Sequence, residues 1–440
     1  MRLIYNVFIF LYLVAARCLS VKNKKARLWV NGRKNIFKQI SEQVSQNEDI
    51  MWFHCASLGE FEQARPLIEY IKQRQPDYKI LLTFFSPSGY EIQKNYKNAD
   101  YVFYLPHDTT SNAKKFLRIV QPKYIFFIKY EFWYNYIYQA HKQKIPFYSV
   151  SCIFSKKQIY FAWYGRWFRK QLNYITHFFT QDEHSQNLLQ QHRIFQSSVC
   201  GDTRFDRVYQ IVNQAKQIDF FSNLTSKNNI IVAGSTWAED EKLLAQLLKN
   251  QNFTLIIAPH EVHKERIEEI EKRFADYSTV RYTQLSSKVN VEQVQVIVID
   301  VIGILSSLYR YASIAYVGGG FGKGIHNILE AATYGKPIIF GKNYKKFKEA
   351  NDLIGLSAAF SVSNYEELDN IFHKSHTNPK TMETAGNTAK QYVLDNVGGC
   401  GKVYEGVKVQ NILSLCSHNR IATQNQTTKK GDEKNFHPRI

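Results

Sequence analysis

Cysteine is scarce in this chain: six thiols in 440 residues, at Cys18, Cys55, Cys152, Cys200, Cys400 and Cys416. They are scattered, with no C-x-x-C pair and no Cys/His cluster at zinc spacing. That argues against a disulfide framework or a zinc module and for reduced, mostly buried thiols in a cytoplasmic protein. Acidic residues are short as well, 38 Asp and Glu against 57 Lys and Arg, for a formal net charge of +19. A surplus of that size favours partners that carry phosphates: nucleic acid, anionic lipid or a nucleotide-linked substrate. Charge alone does not choose among them. No internal repeat is visible beyond an echo between the two halves.

A confident membrane span is also missing. Leu3 to Ala16 is nearly all apolar, broken by Asn6, but falls short of the roughly 20 residues a spanning helix needs. Arg17, Lys22, Lys24, Lys25 and Arg27 follow it, the reverse of a signal peptide, whose charges precede the apolar run. Positive flanks stay in the cytoplasm, so residues 1–25 are expected to form an anchor or interfacial helix that leaves the rest of the protein there. A buried N-terminal core helix is the alternative.

What is present is length and rhythm. A chain of 440 residues with 44% hydrophobic content exceeds what one core serves, and two domains are the natural expectation. Short apolar runs at Ile50–His54, Lys79–Phe84, Tyr101–Tyr104, Tyr124–Ile128, Phe147–Ser151 and His177–Thr180 alternate with amphipathic, charged stretches. After a polar stretch around Asp219 to Asn229 the rhythm restarts at Ile230–Ala233, Thr254–Ala258, Val296–Ile299, Ile314–Val317 and Pro337–Phe340. Strands alternating with helical patterns imply parallel βαβ units. The expected class is therefore α/β, with Rossmann-like domains over 26–215 and 226–416 facing a cleft, the GT-B architecture, and a disordered polar tail over 417–440. Some epimerases and phosphorylases share that architecture, so fold alone does not fix function.

Four segments carry candidate chemistry. In His54-Cys55-Ala56-Ser57-Leu58-Gly59-Glu60, a strand ends and a helix begins, so Glu60 falls in a first turn where the helix dipole favours an ionised carboxylate able to take a proton from a hydroxyl. An ordinary first-turn Glu supporting its helix fits the spacing equally. In Lys129-Tyr130-Glu131-Phe132-Trp133-Tyr134, Glu131 is a second carboxylate at a strand end, placed to position substrate or to steady charge; the alternative has the aromatics in the core and Glu131 in solvent. Gly234, Ser235 and Thr236 form a small-residue turn whose amides and two hydroxyls suit a phosphate. The densest signal is Gly318-Gly319-Gly320-Phe321-Gly322-Lys323-Gly324-Ile325-His326-Asn327-Ile328-Leu329-Glu330. Its five glycines would let backbone approach a ligand, a helix starting near His326 would face a nucleotide phosphate, and Glu330 would suit a ribose hydroxyl pair. It is neither a Walker loop nor a dinucleotide fingerprint.

Taken in order, H-x-x-S-x-G-E, the glycine-rich run ending H-N-x-L-E, and Gly335-Lys336-Pro337 with Phe340-Gly341 resemble the 3-deoxy-D-manno-octulosonic acid (Kdo) transferases of lipopolysaccharide synthesis, over about Arg33 to Tyr404. The resemblance implies an inverting glycosyltransferase that moves Kdo from CMP-Kdo to a glucosamine hydroxyl of a lipid A precursor (lipid IVA) at the cytoplasmic face of the inner membrane. Glu60 matches the family's general base, Glu131 its second carboxylate and Arg204 a basic position that steadies the departing phosphate. Pro259, His260, Ile302, Gly303, Ile304, Asn327, Ile328, Leu329 and Glu330 would line the CMP site. The chain departs from the family pattern in four places. Pro is usual at Ile328, Glu at Ile304, Arg at His260, and E-x-E replaces Lys129-Tyr130-Glu131; backbone contacts at Ile304 and Ile328 survive such changes, side-chain roles do not. No metal or cofactor is expected, cationic side chains standing in for a divalent ion.

A lipid-linked acceptor also accounts for the aromatic and basic mixture from Lys156 to Lys170, which suits an anionic headgroup interface. The same mixture can stack single-stranded nucleic acid, but no motif of the usual RNA-binding modules accompanies it, and nucleic acid is not expected as a partner. The competing reading is another GT-B enzyme, a nucleotide-sugar epimerase or a transferase with a uridine-linked donor.

Overall fold

The computed structural model describes residues 1–215, 217–218, 220–221, 229–285 and 293–410. The predicted tail over 417–440, and most of the polar stretch from Asp219, lie outside the described residues. The chain divides into two compact units, Met1–Arg204 with the segment from Gly398 onward, and Phe205–Val397. This differs from the expected division at 215/226 and 416. The reason for the return is apolar. Residues 399–410 are helical, and Cys400, Val403, Tyr404 and Val407 pack with Met51, Ile71 and Phe126 in the core of the first unit.

The first unit holds a seven-stranded parallel sheet in the order β3-β2-β1-β4-β5-β6-β7. Its strands are β1 (Ile50–Cys55), β2 (Lys79–Phe84), β3 (Tyr101–Tyr104), β4 (Tyr124–Ile128), β5 (Phe147–Cys152), β6 (His177–Thr180) and β7 (Ser197–Val199). Every residue of β1 is buried, as expected of a central parallel strand covered on both faces. Successive side chains point to opposite faces: Trp52 joins Phe116 and Tyr136 on one side, while Met51 and Phe53 join Ile68 and Phe126 on the other.

The second unit repeats the plan in the order β10-β11-β9-β8-β12-β13-β14. Its strands are β8 (Ile230–Thr236), β9 (Thr254–Pro259), β10 (Thr279–Arg281), β11 (Val296–Val298), β12 (Ile314–Val317), β13 (Ile338–Gly341) and β14 (Ala359–Val362). The apolar runs expected as strands are strands. Three that were not expected, β7, β10 and β14, all lie on sheet edges, where a strand of three or four residues is half exposed and leaves little apolar signature.

Residues Arg2–Leu19 form one helix, the one among the described residues long and apolar enough to cross a membrane, with mean hydropathy 1.6. No residue of it is fully buried, which overturns the core-helix alternative. It is nevertheless fastened to the first unit. The Tyr5 hydroxyl donates to Asp108 Oδ2 at 2.5 Å, Asn135 Nδ2 donates to Asn6 Oδ1 at 3.1 Å, and Arg2 donates to Thr110 Oγ1 at 3.1 Å.

Candidate active site

In each sheet the strand order reverses once, between β1 and β4 in the first and between β8 and β12 in the second. Ligands of open α/β sheets bind at the carboxyl ends of the strands flanking such a reversal. Glu60, Glu131, Gly234–Thr236 and Asn327–Glu330 lie at or beyond the carboxyl ends of β1, β4, β8 and β12, whereas Arg204 follows β7, Pro259 ends β9 with His260 just after it, and Ile302–Ile304 follow β11.

In the first unit, β1 runs into the helix Leu58–Arg74, with Ser57 extended at its start and Glu60 in its first turn. The Ser57 hydroxyl donates to Glu60 Oε2, which fixes the carboxylate beside the helix N-terminus. His54 of the same motif serves the fold instead: it is buried in β1, hydrogen-bonded to Thr83 Oγ1 at 2.9 Å, and burial pushes its pKa down to about 3. From β4 the chain turns through Lys129, in the left-handed region at φ 61°, and Glu131 follows. Glu131 is largely withdrawn from solvent, which overturns the solvated alternative, whereas Phe132 and Trp133 do pack on the core as that alternative held. Burial first, and the Glu60 charge second, raise the Glu131 carboxyl to about 7. A carboxyl raised in this way beside a second carboxylate is the kind of arrangement acid–base chemistry uses.

Arg204 also lies in the first unit. Its guanidinium pairs with Asp202 Oδ2, at 2.7 Å from Nη2 and 2.8 Å from Nε, and its backbone N–H donates to Asp202 Oδ1 at 2.9 Å. The Thr203 hydroxyl donates to the Gln63 carbonyl at 2.7 Å, tying this turn to the helix that carries Glu60.

In the second unit, Gly234, Ser235 and Thr236 belong to the end of β8, with Ser235 at φ 53° and a register shift at that point. The expected phosphate turn is only partly available. Thr236 is buried and its hydroxyl donates to Glu241 Oε1 at 2.9 Å. The next helix start is already served by its own acid: Asp240 accepts from the Trp237 and Gly319 amides at 2.9 and 3.0 Å and from the Tyr316 hydroxyl at 2.9 Å.

The glycine-rich loop needs a similar correction. Gly319 sits at φ +90°, a conformation that favours glycine. A Cβ on Gly318 would strike the Ser235 carbonyl, and one on Gly320 would come within 2.5 Å of the Gly341 backbone, so these glycines answer to backbone packing inside the unit. No helix begins at His326. The next one is the five-residue Leu329–Thr333, because Asn327 and Ile328 lead into it outside helical pairing and the Asn327 side chain caps the turn, accepting from the Leu329 amide at 3.1 Å and donating to Glu330 Oε1 at 3.0 Å. Ile328 and Leu329 are fully buried, leaving only their backbone for a ligand.

Three aromatic groups missed as a set converge here. His260 follows β9 and stacks on His326 with centroids 4.2 Å apart; Trp237 follows β8, lies 4.9 Å from His260, and donates from Nε1 to His326 Nε2 at 3.1 Å. Burial, then the neighbouring His260, lower His326 to about 4, so near neutral pH it is an uncharged acceptor. Pro259 is buried at the end of β9, while Ile302 and Gly303 are exposed beyond β11 and Ile304 is half-buried. The only sequence signal for the set was a Trp one residue past β8, a His one residue past β9 and a His nine residues past β12. Their convergence depends on strand order, which the sequence does not spell out.

Residues 31–207 match the family model described as 3-deoxy-D-manno-octulosonic-acid transferase (kdotransferase). The chain is 29% identical over 336 residues to the 3-deoxy-D-manno-octulosonic acid transferase of Rickettsia felis, covering 74% of this chain and 71% of that one. It is 26% identical over 405 residues to the protein of the same name from Haemophilus influenzae, covering 89% and 93%. Among solved structures, UDP-GlcNAc 2-epimerase from Neisseria meningitidis superposes with a TM-score of 0.57 at 16% identity, covering 82% of this chain and 99% of that one. MurG from Acinetobacter baumannii gives 0.51 at 14%, covering 81% and 98%. Likeness at such identity establishes the GT-B fold and nothing about substrate.

Proposed function

We propose that this chain, a member of the 3-deoxy-D-manno-octulosonic acid transferase family, transfers Kdo with inversion from CMP-Kdo to a sugar hydroxyl of a lipid A precursor, lipid IVA. The observation that carries the reading is the pair Glu60 and Glu131 at the β1/β4 reversal, one beside a helix N-terminus and the other raised to about 7. Glu60 takes the proton from the acceptor hydroxyl as its oxygen bonds to the anomeric carbon, and the bond from that carbon to the CMP phosphate breaks. Glu131, still partly protonated near neutral pH, donates a hydrogen bond to the reacting sugar without competing as the base.

CMP is bound by the second unit, at the strand ends where Trp237, His260 and His326 meet. The side chains of Asn327 and Glu330, the backbone of Ile302, Gly303, Ile304, Ile328 and Leu329, and the carboxyl end of β9 at Pro259 complete the nucleotide site. Gly234 and Ser235 offer backbone and one hydroxyl to the donor; Thr236 supports them from below through Glu241. Arg204, held in place by Asp202, steadies the charge released onto the phosphate, so no divalent ion is required. The helix Arg2–Leu19 and the basic residues behind it hold the enzyme on the anionic cytoplasmic face of the inner membrane, where a lipid-linked acceptor resides.

The test is transfer by purified protein with CMP-Kdo generated in place and a tetra-acylated lipid A precursor, with product masses read with and without EDTA. Addition of one or more Kdo units that survives chelation supports the reading. A folded protein that binds UDP in preference to CMP and transfers nothing contradicts it and favours an epimerase or a UDP-sugar transferase.

A further inference from the structure

The helix Arg2–Leu19 does more than carry exposed apolar residues. Together with the turn after β4 and the segment from Ile159 to Gln171 it lines an open cavity of about 550 Å³, whose walls include Tyr5, Ile9, Phe85, Trp133, Tyr160 and Trp167. That volume lies within the roughly 300–1,000 Å³ usual for small-molecule sites. In a chain of net charge +19, no Lys or Arg lines it. Its one acidic wall residue is Glu131. A cavity without cations does not suit a phosphate, and a wall of rings and aliphatic side chains suits a hydrocarbon.

We propose that this cavity receives one fatty-acyl chain of the lipid acceptor and so sets the distance between the acceptor's sugar hydroxyl and the carboxylate pair. The inference rests on the lipid-acceptor reading given above.

Three observations argue for that occupant. First, the wall is built: the Tyr5–Asp108, Asn6–Asn135 and Arg2–Thr110 hydrogen bonds hold the helix against the body of the unit, and the Tyr5 ring meets Tyr134 at 5.5 Å and Trp167 at 6.1 Å. Second, the same helix is apolar on its outer side, with Leu3 78% and Phe10 64% exposed, so a chain in the bilayer and a chain in the cavity touch two faces of one helix. Trp163 and Tyr164, exposed within the segment that forms the opposite wall, are side chains that settle at a headgroup interface. Third, Glu131 is shared by the cavity and the carboxylate pair, which makes the lipid site continuous with the reacting site.

Each methylene moved from water into such a cavity strengthens binding about fourfold, so the length of the buried chain should govern acceptor affinity. The probe is a tetra-acylated lipid A precursor with a diazirine on one acyl chain, added to the full-length protein in phosphatidylethanolamine–phosphatidylglycerol vesicles and photolysed. The expected label falls on Ile9 together with Tyr160 or Trp167. Label confined to outward residues such as Leu3 and Phe10 overturns the proposal and leaves the helix as an anchor only. A second arm measures transfer to acceptors of stepwise shorter acyl chains, for the native protein and for Ile159→Trp, which narrows the cavity from its rim. The native KM should rise about sixteenfold per two methylenes removed, and Ile159→Trp should raise KM for the long-chain acceptor about tenfold with kcat and CMP affinity little changed; equal KM along the series in both proteins overturns the proposal. Cavity labelling with no Kdo transfer to any acceptor would instead count against the transferase reading, which separates the two failures.

Discussion

Glu60 and Glu131 are 71 positions apart in sequence, yet the charge on Glu60 helps hold the Glu131 carboxyl up near pH 7. The parallel order that sets β1 beside β4 makes them neighbours, and burial makes their interaction strong.

That relationship has a measurable consequence for stability. The folded protein keeps the Glu131 proton up to about pH 7, whereas the unfolded chain releases it near 4.5. The stabilisation is thus fully present below about pH 4.5 and is lost as pH rises through 7. Asp108, raised from 3.8 to about 6 chiefly by burial, contributes with the same sign at lower pH. Urea unfolding of the native protein should show stability falling between pH 5 and pH 7.5, and Glu131→Gln should flatten that slope; an unchanged slope contradicts the burial of Glu131.

Asp108 is the hub that holds the N-terminal helix. It is buried and accepts from the Tyr5 hydroxyl and from the Asn135 and Tyr136 amides, the last two at 3.2 Å. Asp108→Ala leaves all three donors unpaired, so a loss of about 3 kcal/mol is expected, and Tyr5→Phe should lose about 1 kcal/mol. Trypsin cleavage between Arg17 and Arg27 should speed up in both variants, most in Asp108→Ala.

Gly320 tests whether the glycine loop is shaped by packing. A methyl at that position meets the Gly341 backbone at 2.5 Å, while one at Gly322 meets nothing nearer than 3.7 Å. Gly320→Ala should lower stability by about 1–3 kcal/mol, and Gly322→Ala by much less, in chemical denaturation. Equal effects would mean the loop answers to something other than this contact.

Trp237, His260 and His326, which meet one another in the second unit, are where the proposed function puts CMP. Trp237→Phe keeps a ring but removes the donor to His326 Nε2, and titration calorimetry should find CMP bound about two- to tenfold more weakly, the range of one hydrogen bond. Unchanged affinity would place CMP away from this cluster.

Much of this was legible before any fold was known. Central parallel strands such as β1 and β4 are buried on both faces, so continuous apolar runs announced them, and Glu60 and Glu131 could be placed at strand ends from those runs. What escaped was whatever depends on neighbours distant in sequence. Edge strands such as β10 carry too few apolar residues to stand out. Gly318 and Gly320 looked like a cradle for a ligand because glycine serves close approach of any kind, and only the fold reveals that the approaching groups are Ser235 and Gly341. Residues 399–410 read as the end of the second domain because helical pattern does not say which core it will cover.

The most direct test of the account is Glu60→Gln. Gln keeps the size of the side chain and removes the base. Transfer of Kdo from CMP-Kdo to the tetra-acylated precursor should fall by about two to four orders of magnitude, the usual contribution of a general base, while CMP binding stays within twofold of the native protein. Near-native transfer by a folded Glu60→Gln protein would contradict the assignment of the base and, with it, the mechanism built on the two carboxylates.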